Sequence, residues 1–246
     1  NINFVTNLET RNFVNYGAAD KQGDYLIISN RVLYNGSNGS NPVEDYRAYR
    51  SSLAGGGYNA KVYDIDQLVD QFGFGIKAHP YSIKNFILYT LNNYPISPKL
   101  VFLIGKGVNY VDYRNNESSA NQTTKDNLTK LNLVPTFGYP ASDNLLSCFF
   151  TSSTPTTIPA IPIGRLSVIF PDEITVYLNK VKEYEANQAT SSPLIADKAW
   201  MKNVVHVIGA DDESLQAILD QIMGYYKDII SDTLYGGNVS TFDKVT

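Results

Sequence analysis

A chain of 246 residues, 43% of them hydrophobic, is long enough to bury a sizeable core. Its net charge of -4, with charged residues at only 18% and no basic stripe, argues against a nucleic-acid partner. The longest apolar runs are strand length, far short of the ~20 residues of a membrane span, and the single cysteine excludes an internal disulfide and a Cys-rich zinc site.

In chain order, residues 24–30 (Asp-Tyr-Leu-Ile-Ile-Ser-Asn) form a short apolar run closed by turn residues, the pattern of a buried strand. A Gly/Ser/Asn-rich loop follows at 35–41. It contains two of six Asn-x-Ser/Thr triplets, a number that an Asn-rich chain yields by chance. Asn41-Pro42-Val43-Glu44 then opens a helix, with Asn as the cap, Pro in the first turn and Glu closing a capping box. That helix runs to about Ala54 and ends in glycines 55–57.

Residues 60–65 make a second strand and 66–72 a short helical turn. From Pro80 to about Asn92, Ile83, Phe86, Ile87 and Leu91 recur at three-four spacing and give a helix one apolar face. Residues 99–105 (Lys-Leu-Val-Phe-Leu-Ile-Gly) have the composition of a central strand. Alternating strands and helices with continuous apolar strands predict a parallel sheet covered on both faces.

Residues 106–157 are rich in Asn, Ser, Thr and Pro and read as one long irregular loop. Order returns at Ile158–Leu166. Pro171 starts a helix to about Glu185 with Ile174, Tyr177, Leu178 and Val181 on one face, and the polar stretch 186–196 reads as a linker. A strand at 203–209 and a helix over 212–231 come next. One strand and one helix do not make a domain, so the expected organisation is a first α/β subdomain over 1–195 and the beginning of a second over 196–246.

Candidate chemistry is sparse. His79 precedes Pro80 and reads as a cap or loop residue; His206, inside an apolar strand, reads as a structural histidine. Cys148 lies far in sequence from both, and a cysteine nucleophile needs a histidine base within reach, so a structural thiol is the better reading. Gly105-Lys106-Gly107 sits at the carboxyl edge of the central strand but lacks the full phosphate-loop pattern. Asp211 and Asp212 carry the oxygen ligands that a hard cation such as calcium takes, although acids there more often cap the following helix. Asp143 lies in the long loop that leaves the sheet's functional edge and is the candidate substrate-binding residue. No catalytic residue and no required cofactor is expected within the chain.

Taken together, these pieces resemble peptidase family C25, the gingipain-like cysteine peptidases. They come in the family's order. Asp24-Tyr-Leu-Ile-Ile is followed by Tyr46-Arg47-Ala-Tyr-Arg50, Lys61-Val-Tyr and the Pro80…Ile87 helix. Next come Leu103-Ile-Gly-Lys-Gly107…Asp112-Tyr-Arg-Asn115, Val134-Pro135-Thr136 and Ser142-Asp143. The strongest piece is Ile163-Gly164-Arg165-Leu166…Asp172-Glu173…Asn179-Lys180-Val-Lys-Glu-Tyr184-Glu185. Trp200 and Ala210-Asp211-Asp212 close the series.

The resemblance implies a caspase/gingipain-like fold of parallel sheets flanked by helices, a protein or peptide substrate, and a location that is secreted or on the bacterial cell surface. It also implies a Cys-His dyad in motifs that lie downstream of this chain, so that residues 1–246 alone are an inactive N-terminal portion. Lys106 departs from the family, which usually has an acid there. Residues 145–164 contain no Asp or Glu, so the family's preference for a basic side chain does not carry over. A non-catalytic cell-surface binding domain on the same scaffold is the second reading, and a nucleotide-binding domain around Gly105–Gly107 a third.

Overall fold

The computed structural model describes residues 10–117, 121–148, 158–189 and 192–243. The chain divides into two compact units, the first ending at Glu185 and the second beginning at Ala186.

The first unit is a four-stranded, all-parallel sheet of β1 (Tyr25–Ser29), β2 (Ala60–Asp64), β3 (Leu100–Ile104) and β4 (Ile163–Leu166), in the order β2-β1-β3-β4. Side chains on a strand alternate between faces, and the core divides accordingly. Leu26, Ile28, Val101 and Leu103 enter one buried cluster. It is completed by Leu68 and Val69 of α2 (Ile65–Phe72) and by Ile83, Phe86 and Ile87 of α3 (Tyr81–Asn93). Tyr25, Ile27 and Ile104 enter the other, with Val43 and Tyr46 of α1 (Pro42–Ser51). The predicted parallel sheet with helices on both faces is thus realised.

The entry to α1 shows the sequence signal at work. Asn41 Oδ1 accepts from Glu44 N at 3.1 Å, with Pro42 in the first turn. The reciprocal half of the box is not used: the Glu44 carboxylate pairs with Arg47 one turn on.

The expectation of an irregular loop over 106–157 needs correction. Its described part holds three helices: α4 (Tyr110–Glu117), α5 (Gln122–Leu131) and α6 (Asn144–Ser147). Residues 118–120 and 149–157 of that loop lie outside the described residues. α5 leaves little helical period in the sequence because it buries no residue and so needs no apolar stripe. Its one signal is Asn121, whose side chain accepts from Thr124 N. α7 (Pro171–Ala189) packs Ile174 and Leu178 into the second cluster and continues to Ala189, into the stretch expected as linker.

The second unit contains β5 (Asn203–Ile208), α8 (Glu213–Ser231) and β6 (Asn238–Asp243), with β5 and β6 pairing in parallel. The 203–209 strand and the 212–231 helix were legible. β6 was not, because Asn-Val-Ser-Thr-Phe-Asp has only two apolar positions.

Candidate functional site at the carboxyl edge of the sheet

In an open parallel sheet, loops at the carboxyl ends of the strands build the ligand site, above all where the strand order reverses. Here the chain runs from β1 outward to β2 and then returns to place β3 on the other side of β1, so the reversal lies between β1 and β3. Ser29, the last residue of β1, donates from Oγ to Ile104 O at 2.9 Å and ties the two strand ends together. Asn30 follows: its Oδ1 accepts from Val32 N at 3.0 Å while its Nδ2 donates to Leu133 O at 3.1 Å.

β3 ends in Gly105, at φ +138°, where a Cβ would stand 2.9 Å from a Val134 methyl. At Gly107 a Cβ would meet Val134 O at 2.7 Å. These glycines therefore serve close backbone approach. The Gly105 and Lys106 amides donate to Leu166 O and Val168 O, and Val108 N donates to Asn132 Oδ1. With three of the four amides from Gly105 to Val108 engaged in this way, the loop offers little to cradle a phosphate.

Arg165 on β4 organises the edge. Its Nε and Nη2 donate to the two carboxylate oxygens of Asp143 at 2.7 and 2.8 Å. Nη1 donates to Gly105 O at 2.6 Å and Val134 O at 2.8 Å, and Nη2 also donates to Pro135 O at 3.1 Å. A guanidinium has five N–H donors, and these five bonds use them all. The pair is well enclosed, with side-chain exposures of 10% for Arg165 and 21% for Asp143. Both oxygens of Asp143, the expected substrate-binding residue, are thus engaged by Arg165, and the two residues clamp the loop after β3 and the loop between α5 and α6 to β4 in one wall. Arg165 belongs to the family-like motif, but its role in the clamp is not visible in the sequence. The signal available was a lone arginine within an otherwise apolar strand, which requires a partner.

Beside this wall runs a groove of about 450 Å³ whose lining includes Asn30, Ile65, Ala78, Tyr113, Asn132 and Pro135. One side is the loop between α2 and α3, where Phe74 and Ala78 both hold φ +58°, a conformation that non-glycine residues adopt at a cost. The loop ends at His79, whose Nδ1 accepts from Tyr81 N at 3.1 Å, so it caps α3 as expected for a histidine before Pro80. Burial, and then the Arg114 charge, hold its pKa below the ordinary value, which keeps the ring neutral and able to accept. Lys84 on α3 donates to Leu145 O at 3.2 Å and holds α6 against α3; burial lowers its pKa.

The other sequence candidates lie elsewhere. Cys148, at the end of α6, is completely buried. His206 is buried on β5 in the second unit. Asp212 Oδ1 accepts from Leu215 N at 2.8 Å and so caps α8, while Asp211 is exposed. Among the described residues no group of three or more His, Cys, Asp or Glu side chains converges as metal ligands, and no helix is long and apolar enough to cross a membrane.

A parallel sheet with helices on both faces and loops gathered at its carboxyl edge is the α/β architecture of caspase- and gingipain-like proteins. The chain belongs to peptidase family C25, whose family model matches residues 18–245. No curated protein and no solved structure matches it.

Proposed function

We propose that this chain is the scaffold portion of a C25 cysteine endopeptidase that acts on protein or peptide substrates. In this reading the clamped edge of the first unit walls the substrate cleft, and a Cys-His dyad encoded downstream of Thr246 performs thiolate attack on the peptide carbonyl. The observation that carries it is the state of Cys148. A nucleophile must meet its substrate, and this thiol, the only one in the chain, is fully enclosed. His79 already spends Nδ1 on its helix cap. The uncharged polar surface, with 18 tyrosines and few charges, supports a secreted or cell-surface location.

A peptidase assay of residues 1–246 under reducing conditions tests this reading. The expected result is no turnover, with Cys148 resisting alkylation until the chain is unfolded. Thiol-dependent turnover that disappears in Cys148→Ala would overturn it. A chain extended by the downstream coding sequence is expected to gain activity.

A non-catalytic interaction module is the second reading, and one observation favours it: α8 carries a bare apolar stripe that includes Leu215, Ile218, Ile222 and Ile229. A downstream sequence lacking both the histidine and the cysteine of the dyad would select this reading.

A further inference from the structure

The loop before α1 contains the tripeptide Asn-Gly-Ser twice, as Asn35-Gly36-Ser37 and Asn38-Gly39-Ser40. Asn-Gly is the sequence most prone to deamidation, because glycine leaves the following amide nitrogen unhindered. The two copies have the same local chemistry, so any difference between them comes from the fold. Both asparagines are exposed, and both glycine amides donate one backbone bond: Gly36 to Ser40 O at 2.9 Å and Gly39 to Gly36 O at 3.0 Å. The difference lies in the side chains around them.

Asn38 Oδ1 accepts from Ser40 N at 3.0 Å and from Ser40 Oγ at 2.7 Å. The ring closed by the first bond contains the Gly39 amide, so the Asn38 carboxamide is folded over the nitrogen that would attack it. The two donors also stabilise negative charge developing on Oδ1 during that attack. Gly39 itself is at φ +77° with open space around it.

At the first copy the equivalent donor is taken. Ser37 N gives its hydrogen bond to Asp172 Oδ1 at 3.1 Å, at the start of α7. The same carboxylate oxygen stands 3.3 Å from the position of a Cβ on Gly36. A fixed negative charge there opposes deprotonation of the Gly36 amide, the step that makes it a nucleophile.

We propose that Asn38 is a self-deamidating residue of the folded chain and that Asp172 protects Asn35 from the same reaction. The deprotonated Gly39 nitrogen bonds to Asn38 Cγ, and the Cγ–Nδ2 bond breaks, releasing ammonia with a proton from water. Water then opens the resulting succinimide at either carbonyl, giving Asp or isoaspartate at position 38. The net change is amide plus water to carboxylate plus ammonium, with no redox step. The isoaspartyl product lengthens the backbone by one methylene inside the 36–40 turn, immediately before the Asn41 cap of α1.

The test is incubation at mildly alkaline pH, folded and in urea, followed by peptide mapping by mass spectrometry and hydroxylamine cleavage of succinimide. In the folded chain the amide-to-acid mass gain is expected at Asn38 about tenfold or more faster than at Asn35, equivalent to ~1.4 kcal/mol of barrier. In urea the two sites should react alike. Asp172→Ala should raise the Asn35 rate in the folded chain, and Ser40→Ala should slow Asn38. Equal folded rates, a faster Asn35, or folded inertness of Asn38 while the unfolded chain reacts would each overturn the proposal.

Discussion

The two units use the same strand–helix–strand logic and reach opposite degrees of closure. In the first, every β1 residue is buried, because helices cover both faces of the sheet. In the second, β5 buries His206 and Ile208 on one face, while Val205 and Val207 on the other are 62% and 76% exposed. α8 buries no residue. It carries two apolar stripes: Leu219, Met223 and Ile230 are partly covered, and the adjacent Leu215, Ile218, Ile222 and Ile229 stand in solvent. A helix that is apolar on more than one stripe has the composition of a buried element. A single βαβ unit therefore has the chemistry of a layered domain without the layers.

That contrast can be broken by truncation on each side. Phe86 is fully buried against Tyr16, Tyr63 and Phe72, with ring centroids 5.3, 4.7 and 5.3 Å away. Phe86→Ala is expected to cost about 3–5 kcal/mol in urea unfolding. Ile222→Ser should stay within about 0.5 kcal/mol and lower the surface hydrophobicity seen by dye binding. A large loss at Ile222 in residues 1–246 would show that the stripe is covered in solution.

A second break concerns the clamp. Arg165→Ala would leave Asp143 as an enclosed carboxylate without its partner and free three carbonyls at once, for an expected loss of about 3 kcal/mol. Arg165→Lys should recover little, since an ammonium has three donors and no planar fork for a bidentate carboxylate. Full recovery by lysine would reduce the clamp to a simple charge pair.

How much of this was legible follows from what each residue must satisfy. Leu26, Ile27, Ile28 and Leu103 declare a buried parallel strand because both of their faces need cover, and the observed strands fall within a residue or two of the apolar runs. α4 and α5 were missed because α4 carries few apolar side chains and α5 buries none, so neither leaves a period to read. The clamp was missed for a different reason. Its acceptors, Gly105 O, Val134 O and Pro135 O, are backbone atoms brought together by the fold from separate loops. Side-chain identity carries no record of a backbone carbonyl. Ser142-Asp143 and Ile163-Gly164-Arg165 could be matched to a family, but their pairing is a tertiary fact.

A smaller effect than the clamp's is expected at the end of the first unit, where Glu185 on α7 is held to α1. Arg50 Nη1 donates to Glu185 Oε1 at 2.7 Å, Tyr49 donates its hydroxyl to Oε2, and Arg50 Nε reaches Tyr46 OH at 3.0 Å. Burial pushes the Glu185 carboxyl up, but the Tyr49 and Arg50 hydrogen bonds and the Arg50 charge more than offset it, so its pKa lies below the ordinary value. A carboxyl with a depressed folded-state pKa binds protons more weakly in the native chain than in the unfolded one. Its contribution is therefore present above the unfolded pKa and is lost as pH falls through the folded one. Glu185→Gln is expected to cost about 1 kcal/mol at neutral pH, a modest figure because the side chain is partly solvent-screened. The difference between the two proteins should close as the solution is acidified below the ordinary glutamate range. If the gap stayed constant with pH, the carboxylate charge would not be what joins α7 to α1.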